Sequence, residues 1–143
     1  MAIRREFLLC LAALALTCGA AGAHEAAATG ESVEVLTVQP LPDAPPKLAT
    51  LISVGYAPGQ VSAPHRHPGS VLAYVVEGEV VSQLGGQPPR HYRAGQFWYE
   101  PPGAAHLLSR NASADKPARL VAWLLSEPGE ARRQPLPADD APQ

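Results

Sequence analysis

Two histidines one residue apart, His65 and His67, and a third 39 residues further on, His106, are the side chains best placed for chemistry in this 143-residue chain. Side chains along a β-strand alternate between faces, so His65 and His67 project together with only Arg66 between them and can reach one ion. His106 lies in a second apolar run in which Ala104, His106 and Leu108 share a face. If that run pairs back onto the same sheet, three neutral imidazoles converge. Three protein ligands leave coordination positions open for water or substrate, which separates a catalytic metal site from a closed structural one. Taken alone, a histidine pair after Pro64 also fits an exposed loop, and His106 after Pro101-Pro102-Gly103 would otherwise have no evident buried partner.

The stretches that hold these residues are 63–79, APHRHPGSVLAYVVEGE, and 95–111, GQFWYEPPGAAHLLSRN. They resemble the paired motifs of the cupin family. Gly59, His65, His67 and Gly78 fall in register with the first motif, and Gly95, Pro101, Gly103 and His106 with the second, while Asn111 comes one residue late. The resemblance runs from about Ala49 to about Leu125. It implies an all-β, single-domain cupin, a jelly-roll double-stranded β-barrel, with His65, His67 and His106 as metal ligands. The family's glutamate ligand falls on Val71, or with the alternative spacing on Leu72. The resemblance therefore implies a three-histidine site, a site completed by another residue, or a barrel without its metal. Glu77 sits beside Gly78 at what reads as a hairpin end. Glu100 is the other nearby carboxylate, and alternation alone leaves its direction open. Glu100 and Tyr74 are the candidate catalytic groups.

The elements that must position these residues are short strands broken by turn signals every eight to twelve residues, the pattern of a sandwich or barrel. Val33 to Val38 reads as a first, edge strand, and the proline-rich 39–47, QPLPDAPPK, as a loop. Strands follow at Leu48 to Tyr56, Ser62 to His67, Val71 to Glu77, Glu79 to Leu84, Arg90 to Tyr92, Gln96 to Tyr99, Ala105 to Arg110 and Ala118 to Leu125. The barrel spans 48–127, preceded by a segment 24–47. The tail 128–143, PGEARRQPLPADDAPQ, is proline-rich and charged and is expected to be disordered. With no internal repeat this is one barrel, small enough that pairing with a second copy, a homodimer, is expected to help it.

Residues 1–23 read as a secretory signal peptide: Arg4 and Arg5, an apolar stretch from Phe7 to Thr17, and Ala21-Gly22-Ala23 before the cut. The apolar core is too short for a transmembrane anchor. Ala15-Leu16-Thr17 before Cys18 lacks the lipidation pattern. Export to the periplasm or medium is expected, with no membrane attachment after cleavage. Cys10 and Cys18 leave with the leader, which excludes disulfides and thiolate chemistry from the mature chain. Losing Arg4, Arg5 and Glu6 takes the formal charge from −2 to −3, so nothing marks a nucleic-acid or anionic-membrane partner. Cleavage after Ala23 makes His24 the N-terminus, where amine and ring could chelate copper; the small, polar EAAATGES that follows reads instead as a mobile lead-in.

Among the remaining residues, His91 between Arg90 and Tyr92 reads as solvated, and Arg66 as outside the barrel. Tyr74, Phe97, Trp98 and Tyr99 read as core or barrel wall, one or two of them lining a cavity. Arg93 and Arg110 could bind a carboxylate at the mouth. Asn111, Ser113 and Pro117 read as turn residues, and Asn111-Ala112-Ser113 also matches a glycosylation acceptor. For function, the resemblance implies a divalent metal, iron(II) first and manganese, copper, nickel or zinc also compatible, acting on a small molecule in dioxygenase fashion. Thiol- and diketone-cleaving members work with three histidines, whereas Val71 counts against the flavonol-cleaving chemistry that uses the glutamate. A non-catalytic module that captures a ligand or metal is the alternative, and an isomerase or lyase a third reading that no spacing supports.

Overall fold

A computed structural model describes residues 30–137. The leader peptide, its cleavage point and His24 lie outside the described residues. Among the described residues, eleven strands run in chain order: β1 Glu31–Pro40, β2 Leu48–Tyr56, β3 Val61–Ser62, β4 His65–Arg66, β5 Val71–Glu77, β6 Glu79–Leu84, β7 Arg90–Arg93, β8 Phe97–Glu100, β9 Ala105–Asn111, β10 Ala118–Ser126 and β11 Gln134–Pro135. They form two antiparallel sheets. One has the order β1-β2-β10-β5-β8; the other has the order β11-β4-β9-β6-β7, with β3 also paired to β9. No helix of the described residues is long and apolar enough to cross a membrane.

The alternation in β2, β5 and β10 decides what faces inward. Ile52, Val54 and Tyr56, then Val71, Ala73 and Val75, then Leu120, Ala122 and Leu124 are buried from three neighbouring strands, and Trp98 on β8 joins them. Each fully buried branched side chain contributes roughly 1.5–3 kcal/mol by leaving water. The facing sheet is mixed: besides Val80, Val81 and Leu84, its buried side chains include Ser62, His65, Ser82, His106 and Ser109. The interior thus has one apolar wall and one of mixed character that carries the polar groups, and it is not filled.

Several expectations are corrected. The strand expected over 62–67 is broken at Ala63-Pro64 because proline has no N–H for the ladder, and the two pieces pair separately with β9. Glu77-Gly78 is not a hairpin end. β5 pairs with β10 and β8 while β6 pairs with β9 and β7, so the chain turns a corner from one sheet to the other. Gly78 makes that corner with φ +73°, and a Cβ there would lie 2.8 Å from the Pro117 carbonyl oxygen. Tyr74, Phe97 and Tyr99 face outward, because inside positions in β5 and β8 fall to Val71, Ala73, Trp98 and Glu100. Of the tail expected to be disordered over 128–143, the described part, 128–137, instead folds back, and Gln134–Pro135 pair with β4. Composition signalled low burial correctly there, but it is blind to the open backbone edge that β4 offers.

Asn111 closes the turn between β9 and β10 from inside. Its amide donates to the carbonyls of Lys116 at 2.7 Å and Ala57 at 3.1 Å, and its Oδ1 accepts the Ser113 N–H at 2.9 Å. The side chain is 1% exposed, so the folded chain offers no glycosylation acceptor there. Asn111→Ala strands these partners and is expected to cost about 2–4 kcal/mol in urea denaturation. A midpoint equal to that of the parent would show that water satisfies them equally well.

Candidate metal centre

His65 stands on β4 directly across from His106 on β9, and His67 follows just past the end of β4. The pairing of β4 with β9 therefore brings together histidines that stand 41 positions apart in the chain. One ring nitrogen from each of the three lies within 4.8 Å of the others. Burial lowers the pKa of all three imidazoles, His65 to about 4 and His106 to about 3. The backbone bond at Ala63 opposes the shift at His65, and the charges of its neighbours add to the shift at His106. All three are neutral at pH 7, with lone pairs free to ligate.

Hydrogen bonds set which nitrogen faces inward. His65 donates Nδ1–H to the Ala63 carbonyl at 2.8 Å, and His67 donates Nδ1–H to the Arg132 carbonyl at 2.5 Å. Each Nε2 is then unprotonated, and the two Nε2 atoms face one another at 3.1 Å. Two lone pairs at that distance repel unless a cation lies between or beside them. Two imidazoles at right angles on one ion, with bonds of about 2.1 Å, would hold their nitrogens about 3 Å apart. His106 bonds Ser82 Oγ through Nε2 at 2.8 Å, and its buried Nδ1 lacks a hydrogen-bond partner among the described residues.

Glu100 turns inward and is 3% exposed. Trp98 Nε1–H donates to its Oε1 at 2.8 Å, and that oxygen lies 3.3 Å from His106 Nδ1. Oε2 has no hydrogen bond among the described residues and lies 3.9 Å from His67 Nε2. Burial raises the carboxyl's pKa to about 7, partly opposed by the Trp98 N–H. β8 pairs with β5 so that Glu100 stands opposite Val71, the position where the family motif has its glutamate. The carboxylate absent from β5 arrives from the adjacent strand. Buried atoms left without partners, His106 Nδ1 and Glu100 Oε2, together with the facing imidazoles, make a donor set that fits a divalent cation.

The centre opens into a cavity of about 470 Å³ walled on one side by apolar residues that include Ile52, Val54, Leu120 and Leu124. Tyr74 is not part of it. The phenol stands on the outer face of β5, 43% exposed, because side chains 71, 73 and 75 take the inner face. Nor do Arg93 and Arg110 line it: Arg93 pairs with Glu79 at 3.0 Å, and Arg110 donates to the Asn111 carbonyl at 3.2 Å. His91 is exposed and bonds Glu79. Sequence reasoning missed Tyr56, whose hydroxyl meets Ser109 Oγ at 2.8 Å across the barrel, and it missed Arg132 and Arg133 at the rim. Tyr56 reads as one more core aromatic in an alternating strand. The paired arginines were the visible signal in a tail otherwise dismissed as disordered.

A model of the family described as "Cupin domain" matches residues 52–124. Comparison with curated proteins gives no match. Among solved structures, the chain is similar to an uncharacterized conserved protein with a double-stranded β-helix domain from Klebsiella pneumoniae, at 23% identity and TM-score 0.57, covering 73% of this chain and 82% of that one. It is similar to the DMSP lyase DddQ from Ruegeria pomeroyi at 22% identity and TM-score 0.59, covering 71% of this chain and 49% of that one. An oxalate oxidase is 26% identical with TM-score 0.53, covering 66% and 51% respectively. The chain thus spans about half the length of either enzyme.

Replacing His65 or His106 with alanine, or Glu100 with glutamine, is expected to weaken Co²⁺ or Zn²⁺ binding at least ~10-fold in calorimetric titration. Tyr74→Phe serves as the control and should leave it unchanged. Parental affinity in His106→Ala would refute the assigned centre.

Proposed function

The chain belongs to the cupin domain family, and from that premise we propose that it is an exported metalloenzyme that holds a divalent ion on His65, His67 and His106 for dioxygenase-type chemistry on a small molecule. The observation that carries this reading is the convergence of three neutral imidazoles and a buried, under-partnered carboxylate on the floor of an open cavity. Iron(II) is the first choice, because imidazole with carboxylate suits iron and manganese, with copper, nickel and zinc also compatible. The bound ion would supply Lewis acidity and, if redox-active, a site for dioxygen beside the substrate. The chain's own residues do the rest. The histidines and Glu100 leave coordination positions open, the apolar wall orients the substrate and thins out water, and the Tyr56–Ser109 hydroxyl pair offers it a polar contact.

The inward Glu100 supports catalysis over passive capture, since a carboxylate beside the ligands offers an acceptor for a substrate proton that three imidazoles alone do not. The similarity to an oxalate oxidase supports oxidative chemistry on a small acid. Export to the periplasm or medium rests on Arg4, Arg5, the apolar run and Ala21-Gly22-Ala23. A homodimer belongs to the same reading: Leu72, Tyr99 and Trp123 lie side by side on the outer sheet face, all more than 40% exposed.

Metal analysis by mass spectrometry on untagged mature protein from its native compartment, beside His67→Ala, is the test. Near-stoichiometric iron or another redox metal that disappears in the variant, on a chain that begins at His24, is expected. Oxygen uptake with thiols, diketones and phenols then seeks the substrate. A chain free of metal in both forms would replace this reading with non-catalytic ligand capture.

A further inference from the structure

The segment from Glu130 to Pro135 meets the centre at three places. The Arg132 carbonyl accepts the Nδ1–H of His67 at 2.5 Å. The Arg133 guanidinium donates from Nη2 at 2.7 Å to the Ala63 carbonyl, the same oxygen that accepts the Nδ1–H of His65 at 2.8 Å. Gln134 and Pro135 pair with Arg66 and His65 as an added strand. Little else holds the segment. Its side chains from Ala131 to Pro135 are exposed, and Arg133 Nη1 lies 3.6 Å from Glu31 Oε2, a loose ion pair at the rim. With Leu136 just beyond it the one apolar side chain partly buried between Ala131 and Pro137, docking depends mainly on a few polar contacts, and those contacts run to the histidines.

We propose that this C-terminal strap is a positioning element of the metal centre, and that strap docking and metal occupancy reinforce each other; the inference rests on the reading of His65, His67 and His106 as ligands. A backbone carbonyl that accepts Nδ1–H keeps the proton on that nitrogen, points Nε2 at the ion and stops the ring from swivelling. For His67 that carbonyl belongs to the strap. His65 keeps its acceptor at Ala63 whether or not the strap is docked, so the effect concentrates on His67. An ion on Nε2 draws electron density from the ring and makes Nδ1–H a stronger donor to Arg132. By linkage, whatever factor the docked strap adds to metal affinity, the bound metal returns to docking.

Trypsin reads docking directly, because Arg132 and Arg133 lie within the strap and cleavage there releases the C-terminal residues for mass spectrometry. In the full mature chain, saturating Zn²⁺ is expected to slow that release about 10–100-fold, the range found for outer partners of metal-bound histidine. Truncation after Gly129 should lower Zn²⁺ and Co²⁺ affinity by a similar factor while the metal-free melting temperature changes little. Arg133→Ala in the full chain should give part of the same loss. In His67→Ala, added metal should no longer protect the strap, and truncation should have no further effect on the residual affinity. Unchanged affinity on truncation, or equal protection in His67→Ala, would overturn the coupling while leaving the metal centre intact. A full chain that binds neither ion would overturn both.

Discussion

Two unprotonated imidazole nitrogens facing each other at 3.1 Å form an arrangement that a cation placed against both would relieve. Much of the structure serves to impose it. The Ala63 and Arg132 carbonyls hold the protons on the outer nitrogens, burial keeps the rings neutral, and pairing of β4 with β9 sets His106 opposite. Removing any of these supports would let a ring turn away or take up a proton, and the pocket of lone pairs would dissolve.

Such a centre is costly to fold, because His106 Nδ1 and Glu100 Oε2 are buried without hydrogen bonds among the described residues. The apolar sheet offsets this. Its three central strands bury branched and aliphatic side chains in register, Val80 joins that core from the facing sheet, and the histidines of the facing sheet meet Glu100 across the interior. Core and centre are tied together on β8, where Trp98, part of the apolar core, donates to Glu100, part of the centre. The cavity lies between Ile52, Val54 and Leu124 on one side and His65, His106 and Ser109 on the other.

Most strands were legible as alternation between turn signals. Leu48 to Tyr56, Val71 to Glu77 and Glu79 to Leu84 match their observed bounds, because a two-residue period on a sheet buried on one face is a strong signal. Errors fell where local pattern says nothing about partners. The corner at Gly78 looked like a hairpin because a glycine turn reads alike whether the next strand returns to the same sheet or crosses to the other. Tyr74 looked like a wall residue because alternation gives two faces without saying which is inside. The strap at Gln134–Pro135 left no mark, since two residues pairing through backbone need no particular side chains.

The chain by itself determined the all-β fold, the family, and the three histidines, since these follow from periodicity and from residue types at fixed spacing. Tertiary structure decided how the site is completed. Whether Glu100 faced the histidines depended on the pairing of β8 with β5, and whether His67 had an acceptor depended on a tail that returns from 65 residues away. Both are contacts between segments distant in sequence, and hydrogen bonds to backbone carbonyls have no signature in side-chain composition. Spacing along a strand says which side chains share a face; only the packing of strands against one another says what they meet there.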